Sequence, residues 1–219
     1  MTIYFFSGLG ADKRAFQKLV LPGDWNIKHV DWIPNQKNEP LEDYCKRLSV
    51  YIDTSLPYSF VGLSFGGIVA IEIAKLLNPQ HIIIISSIST KQELPMDLLG
   101  RFLLQKCKLF KLIPAQVFKT TNGFTHWFFG TKTTGEKHLL EQIIKDTPPK
   151  FAKWALGHIL TWKNENRPAN LLHIHGTADR IFPVKKTRCD VKIDGGGHFM
   201  VYSKAAEISK ILNDALCTL

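Results

Sequence analysis

The pattern of apolar and polar residues divides the chain into alternating predicted strands and helices. Continuous or alternating apolar runs of four to seven residues, bounded by Gly, Pro, Asn or Asp, predict β-strands. They fall at 2–6, 27–33, 58–63, 81–86, 170–176 and 190–194. The fourth run contains four consecutive isoleucines, and a run that apolar and β-branched favours a parallel strand covered on both faces.

Helical spacing of apolar residues follows most of these runs. Asp12 is placed to cap a helix whose inner face carries Phe16, Leu19 and Val20, and Pro40 is suited to the first position of the next helix. Further helices are predicted at 68–77, directly after the third strand, and from Ser203 to the end of the chain. Alternation of this kind is typical of an α/β fold with a mostly parallel sheet of about six strands and helices on both sides.

The alternation stops between residues 91 and 165, where the pattern is helical throughout. Apolar-rich segments lie at 94–104, 109–118 and 121–129, and Thr147-Pro148 opens a helix with an aromatic face. An all-helical insert in a series of strands and helices most simply forms a cap over one edge of the sheet. We therefore expect a core made of residues 1–90 and 166–219, with residues 91–165 as a helical cap (lid) insertion.

The most informative short motif is Gly62-Leu63-Ser64-Phe65-Gly66, which fits G-x-S-x-G. A predicted strand runs into it and a predicted helix runs out of it. That context indicates a sharp turn that holds the serine out of the sheet at a helix N-terminus, as a nucleophile requires. The pattern alone also occurs by chance in loops, so the flanking strand and helix carry the prediction.

Two further polar turns follow predicted strands. Asp179 follows the fifth strand in His175-Gly176-Thr177-Ala178-Asp179, and His198 follows the sixth after three glycines. Reacting residues gather at the carboxyl ends of strands in an open sheet, and a serine hydroxyl needs a base that is oriented by an anion. We expect Ser64 to be the nucleophile, His198 the base and Asp179 the orienting acid. A turn-forming aspartate and an ordinary loop histidine are the alternatives.

A tetrahedral intermediate needs two N–H donors for its oxyanion. The backbone amide of Phe65, directly after the nucleophile, is one candidate. The other is the Leu9 amide in Ser7-Gly8-Leu9-Gly10, the turn after the first strand. The expected substrate pocket has Gly8, Leu9, Phe65 and Phe199 as its floor. Its roof comes from the aromatic residues of the cap, for which the candidates are Trp127, Phe128 and Trp154.

With these segments in place, the chain resembles the α/β-hydrolase superfamily, in the branch of small capped serine esterases that includes the pimeloyl-ester carboxylesterase of biotin synthesis. The resemblance implies an α/β-hydrolase fold and a Ser-His-Asp triad. Two departures are visible. The first strand begins at residue 2, which implies a sheet with fewer strands at one edge. Ser7-Gly8 stands where members of the superfamily commonly have His-Gly, which keeps the backbone donors but leaves open what supports that loop.

Composition limits the other classes of function. The net charge is +9, but the 28 Lys and Arg residues are scattered, without a basic tract or an aromatic nucleic-acid motif, so we expect no nucleic-acid partner. Four widely spaced cysteines and the spacing of the histidines predict reduced thiols and no metal site. No apolar stretch reaches the roughly 18 residues of a membrane span, and the N-terminus lacks the features of a signal peptide, so a cytoplasmic location is expected.

Together these features predict a serine hydrolase that cleaves a small carboxylic ester or thioester through an acyl-enzyme, without a cofactor. Three alternatives remain open. The first is a lyase or a C–C bond hydrolase that uses the same residues, and the second is a ligand receptor with little turnover. The third is a thioesterase acting on an acidic acyl carrier protein, since the cap segment 91–165 holds 12 basic and 6 acidic residues. Those basic residues could equally serve only to keep the cap soluble.

Overall fold

The computed structural model describes residues 1–95 and 120–217, and its centre is a sheet of six parallel strands. The spatial order of the strands is β2-β1-β3-β4-β5-β6. Their bounds are β1 Thr2–Phe6, β2 Asn26–Val30, β3 Tyr58–Leu63, β4 Ile82–Ile85, β5 Leu171–Gly176 and β6 Val191–Ile193. The predicted α/β class and six-stranded parallel sheet are confirmed, although β2, β4 and β6 are shorter than predicted. The chain leaves β1 toward β2 on one side and returns to β3 on the other, so the order reverses at the carboxyl ends of β1 and β3. A crevice for ligands is expected there.

Seven α-helices lie in the described residues. Their bounds are α1 Leu41–Ser49, α2 Phe65–Ala74, α3 Gly123–Phe129, α4 Thr134–Asp146, α5 Pro149–Thr161, α6 Met200–Ser203 and α7 Ala205–Cys217. None of the helices in the described ranges has the length and apolar character that crossing a membrane would need.

The helix predicted after Asp12 is a single 3₁₀ turn, Lys13–Phe16. Phe16 is buried as expected, but Val20 is 73% exposed, which corrects its predicted place on an inner face. The backbone N–H of Val20 donates to the hydroxyl of Ser209 in α7 at 2.9 Å. This segment is therefore tied to α7 and does not continue as a helix.

The two faces of the sheet are covered by different helices, as the alternation of side chains along a strand requires. In β1, Tyr4 and Phe6 point into the cluster that contains α1, α2 and α5, while Ile3 and Phe5 point into the cluster that contains α4 and α7. Because both faces are covered, strands such as β4 are apolar at every position.

Helices α3, α4 and α5 form the described part of a helical insertion between β4 and β5, which we call the helical insertion (residues 120–162). The predicted segments at 94–104 and 109–118 lie almost entirely outside the described residues. The α4 helix is absent from the sequence prediction, although Thr133 and Glu136 form a capping box, which is a sequence signal for the start of a helix.

One main-chain carbonyl anchors the insertion to the core. The carbonyl oxygen of Glu39 accepts hydrogen bonds from Trp154 Nε1 at 2.9 Å and from His158 Nε2 at 3.0 Å, both on α5. Burial lowers the pKa of His158, which suits a neutral ring that donates to a carbonyl.

Candidate functional site

Ser64 sits in a strained turn between β3 and α2. Its backbone has φ 52° and ψ −118°, outside the conformations that a serine normally adopts. The surrounding structure holds it there, because its N–H donates to the carbonyl of Ile85 at 2.9 Å and its carbonyl accepts from the hydroxyl of Ser87 at 2.7 Å. The turn presents the side chain at the carboxyl end of the sheet.

The glycines of the motif are required by close backbone contacts. A Cβ on Gly62 would lie 2.5 Å from the carbonyl oxygen of Gly66, so β3 and α2 could not approach as they do. A Cβ on Gly66 would lie 2.2 Å from the carbonyl oxygen of Phe6 at the end of β1. These contacts hold the serine turn tightly between β3, the start of α2 and the end of β1.

The three predicted catalytic side chains form a continuous chain of hydrogen bonds. His198 Nε2 is 2.9 Å from Ser64 Oγ, and His198 Nδ1 is 2.8 Å from Asp179 Oδ2. Asp179 and His198 are 4% and 5% exposed, whereas Ser64 is half-buried. With Asp179 ionised, Nδ1 carries a proton and donates to the carboxylate, which leaves the Nε2 lone pair to accept the serine proton.

The surroundings of Asp179 keep it ionised. Its other oxygen, Oδ1, accepts hydrogen bonds from the backbone N–H groups of Ile181 and Phe182 at 2.8 and 2.9 Å. Burial alone would raise the pKa of Asp179. The charge of His198, its hydrogen bond to Asp179 and the backbone hydrogen bond from Phe182 together outweigh burial and lower the pKa. His175 donates from Nε2 to the carbonyl of Phe182 at 2.7 Å and so fixes the turn that carries these amides.

The loop that carries His198 is packed from two sides. Gly176, at the end of β5, lies so close to this loop that an added Cβ would be 2.2 Å from the carbonyl oxygen of Gly196. On the insertion side, the carbonyl of Phe129 accepts from the N–H of Phe199 at 3.1 Å, and the Phe129 ring contacts the imidazole edge to face. His198 is therefore held jointly by the core and by the helical insertion.

The segments that carry the predicted oxyanion donors lie beside the serine. The Phe65 amide belongs to the first turn of α2, where backbone N–H groups have no acceptor within the helix. Gly8 is adjacent, since a Cβ placed on it would be 3.7 Å from Ser64 Cβ. Both segments lie at the reversal point of the strand order.

A cavity of about 550 Å³ opens from Ser64 beneath the helical insertion. Its lining is almost entirely apolar, and His198 is the one ionisable side chain among the described residues that form it. Within the described ranges, no three His, Cys, Asp or Glu side chains form a group that could hold a metal ion. The lining residues include Gly8, Leu9, Leu63, Ser64, Phe128, Phe129, Leu140, Ile143, Thr147, Leu156, Ile159, Ile181, Phe182, His198 and Phe199.

Seven residues are predicted from sequence to form the pocket, and four of them line the cavity. The four that line it are Gly8, Leu9, Phe128 and Phe199. The prediction is corrected at the other three, which are Phe65, Trp127 and Trp154.

Each of these three aromatic side chains lies away from the cavity. Phe65 is fully buried among Trp32, Phe151 and Trp154, so only its backbone can serve the site. Trp154 faces the core and donates to the Glu39 carbonyl. Trp127 is 54% exposed, with Arg180 stacked on its ring at 4.5 Å.

Residues from α4 and from the turn after Asp179 are lining residues that the sequence reasoning missed. Leu140 and Ile143 occupy one stripe of α4, which its capping box could have revealed. Ile181 and Phe182 follow Asp179 closely and carry no motif, so only the fold brings them to the cavity.

Comparison with solved structures identifies the fold. A bromoperoxidase from Bacillus anthracis aligns with a TM-score of 0.74 at 14% identity, over 98% of this chain and 91% of that one. MenH from S. aureus aligns with a TM-score of 0.71 at 19% identity, over 100% and 94%. A thermophilic esterase from Thermogutta terrifontis aligns with a TM-score of 0.68 at 15% identity, over 100% and 90%.

No protein-family model and no curated protein sequence matches the chain. The structural likenesses establish the α/β-hydrolase fold. At these identities they do not separate the pimeloyl-ester esterase branch from others with the same fold.

Proposed function

We propose that this protein is a serine hydrolase that cleaves a small carboxylic ester or thioester with a neutral, apolar acyl portion. The observation that carries the proposal is the hydrogen-bonded series Ser64–His198–Asp179, in which Ser64 and His198 line an apolar cavity. The α/β-hydrolase fold supports it, because in this fold the serine turn, the acid and the base occur in the same chain order.

In the first half of the reaction, His198 Nε2 takes the hydroxyl proton of Ser64 as Oγ attacks the carbonyl carbon. Asp179 stabilises the imidazolium that forms. The carbonyl oxygen becomes an oxyanion, which accepts hydrogen bonds from the Leu9 and Phe65 amides. The bond to the leaving group then breaks, and His198 returns the proton to the departing oxygen or sulfur.

In the second half, water attacks the acyl-serine ester. His198 takes a proton from the water, and the oxyanion forms again at the same two amides. Collapse of this intermediate releases the carboxylic acid and returns the proton to Ser64, so the enzyme is regenerated without a cofactor.

The lining of the cavity supports a neutral acyl group. A buried carboxylate on the substrate would lose its hydration and would need a cationic partner. Among the described lining residues no Lys or Arg is present, and the polar side chains beyond Ser64 and His198 are threonines. The size of the cavity is ordinary for a small-molecule pocket.

Labelling with a fluorophosphonate probe tests the nucleophile. We expect the wild type to be labelled and Ser64→Ala not to be, while Ser55→Ala, at an exposed serine before the amino end of β3, behaves as wild type. Equal labelling of the wild type and Ser64→Ala would contradict the assignment.

A series of p-nitrophenyl esters from acetate to laurate tests the acyl preference. We expect kcat/KM to rise with acyl length until the cavity is filled, because each buried methylene contributes about 0.8 kcal/mol. A monoester of a dicarboxylic acid with matched length should react more slowly. If no ester is turned over while the probe still reacts, the lyase, C–C hydrolase or receptor alternatives gain support.

A second candidate, thioester hydrolysis on an acidic acyl carrier protein, is favoured by cations beside the cavity. Arg180 precedes two lining residues and donates to the carbonyl of Trp127 at 2.6 Å, and Lys186 donates to the carbonyl of the lining residue Pro95. Both are exposed. If a carrier docks there, carrier-linked thioester should be cleaved faster than free thioester at low salt, and salt should remove the advantage. Equal rates at low salt would rule this candidate out.

A further inference from the structure

The indole N–H of Trp32 reaches two carbonyl groups of the loop after β1. Nε1 lies 3.2 Å from the carbonyl oxygen of Gly8 and 3.1 Å from that of Ala11. Trp32 follows β2, the edge strand beside β1, and its ring packs against Phe65 and Phe151. The ring is therefore fixed while its single donor is shared by the two ends of the Gly8–Ala11 turn.

This contact determines the orientation of the peptide that joins Gly8 to Leu9. The Gly8 oxygen also accepts from the N–H of Ala11 at 2.9 Å, so its direction is set by two donors. In a planar trans peptide the C=O and the following N–H point in opposite directions. Holding the Gly8 oxygen toward Trp32 thus turns the Leu9 N–H away from Trp32.

The nucleophile lies close to this peptide. Gly8 and Leu9 both line the cavity, and Gly8 lies next to Ser64, since a Cβ added to Gly8 would be in ordinary contact with Ser64 Cβ at 3.7 Å. A rotated peptide would instead present a carbonyl oxygen to the developing oxyanion, which would repel it.

The loop needs such support from outside its own sequence. The hydroxyl of Ser7 donates to the Ala11 carbonyl, which closes the turn but does not reach Gly8. Thr147 of the helical insertion donates to the Gly10 carbonyl at 3.0 Å. Among the side-chain hydrogen bonds described for this loop, the one from Trp32 reaches the Gly8 oxygen and those from Ser7 and Thr147 do not.

We infer that Trp32 is a positioning residue for catalysis: its indole N–H holds the Gly8–Leu9 peptide so that the Leu9 amide faces the oxyanion. This inference rests on the proposed hydrolase function. It assigns a kinetic role to a side chain that does not line the described cavity.

The test removes the N–H and keeps the ring. β-(3-Benzothienyl)alanine, inserted at position 32 by codon suppression, has the shape of tryptophan with sulfur in place of N–H, and Trp32→Phe is a simpler second variant. Loss of one oxyanion donor lowers kcat by roughly 10²–10³. Since the Ala11 N–H still holds the Gly8 oxygen, we expect about a 10- to 100-fold decrease in kcat, with KM within about twofold.

A trifluoromethyl ketone inhibitor gives a readout that a purely structural role would not change. It forms a tetrahedral adduct with an oxyanion, so its inhibition constant should rise in parallel with the loss in kcat, whereas the inhibition constant of a non-reactive amide analogue should not. Retention of kcat and of ketone affinity in the benzothienyl variant would overturn the inference.

Tyr44→Phe is the matched control. The Tyr44 hydroxyl donates to the carbonyl of Ile33 at 3.0 Å, in the same β2–α1 connection as Trp32, but does not reach the oxyanion loop. It should lower the melting temperature comparably and leave kcat and ketone affinity unchanged. If both variants lose activity equally, general destabilisation explains the loss and the inference fails.

Wild-type activity separates this outcome from failure of the proposed function. If the wild type neither reacts with the fluorophosphonate nor turns over esters, the hydrolase assignment fails first. If the wild type is active and the Trp32 variants match it, only the positioning role fails.

Discussion

Replacing Asp179 with asparagine should reverse the tautomer of His198. Asp179 Oδ1 accepts from two backbone N–H groups, while Oδ2 faces His198 Nδ1. An asparagine has one acceptor oxygen, and placing its NH₂ against the two amides would oppose donors to donors. Its oxygen must therefore stay on the amides, so its NH₂ faces Nδ1. His198 then carries its proton on Nε2 and cannot accept the proton of Ser64.

The expected loss is large because the variant keeps its shape and loses only the acceptor. In serine proteases with a Ser-His-Asp triad, a base held in the wrong tautomer lowers kcat by about 10⁴. At about 1.36 kcal/mol per tenfold, that is roughly 5.5 kcal/mol of activation free energy. The two backbone hydrogen bonds remain, so the melting temperature should change far less than after disruption of the turn.

The assay is kcat with a p-nitrophenyl ester, together with the rate of fluorophosphonate labelling, and both should fall. Asp194→Asn is the control, since Asp194 precedes His198 in the same loop and accepts only from the Thr177 hydroxyl among the hydrogen bonds described for it. A loss of less than about tenfold in Asp179→Asn would refute the tautomer argument.

Three further predictions concern stability and specificity. Gly66→Ala should lower the free energy of unfolding by at least about 3 kcal/mol in urea titrations, because its Cβ would meet backbone oxygens of β1 and the following loop at 2.2 and 2.3 Å. Gly135→Ala, in an open part of α4, should be neutral or slightly stabilising. The pKa of His173 is lowered to about 3, by burial first and then by His175. Below the ordinary pKa near 6.5 the unfolded state therefore binds a proton that the folded state does not. Through His173 alone, stability should fall by about 1.4 kcal/mol per pH unit as pH drops from about 6 to about 4, and His173→Gln should remove this contribution from the slope. Phe128→Ala should raise KM for long acyl esters selectively, whereas Trp127→Ala should not; equal effects would place both rings at the substrate.

The carboxyl ends of the strands could be located from sequence because parallel strands place them at one edge. A strand, a small-residue turn and a helix around Ser64 leave few alternative geometries, and the backbone contacts that an added Cβ would make, at 2.5 Å for Gly62 and 2.2 Å for Gly66, explain the glycines there. Asp179 and His198 follow other strands of the same sheet. Their convergence is a property of the topology and did not require knowledge of loop conformations.

The cavity walls could not be predicted in the same way. On α5, Trp154 and Leu156 are close in sequence, yet Trp154 packs on the core and Leu156 lines the cavity. An apolar residue in an inserted helix can face the sheet, the pocket or solvent, and the choice depends on partners distant in sequence. Trp127 shows the same limit, because its stacking with Arg180 has no signature in the local pattern.

The hydrogen bonds from α5 to the carbonyl oxygen of Glu39 can be lost by mutation on the insertion side but not on the core side. The acceptor is a main-chain atom, so substitution of the side chain at position 39 does not delete it, whereas the donors at 154 and 158 can each be removed by one substitution. The core thus offers a constant docking point to helices whose sequence can change. Variation in the insertion can alter how firmly the insertion covers the cavity while Ser64 and Asp179 keep their positions on the sheet.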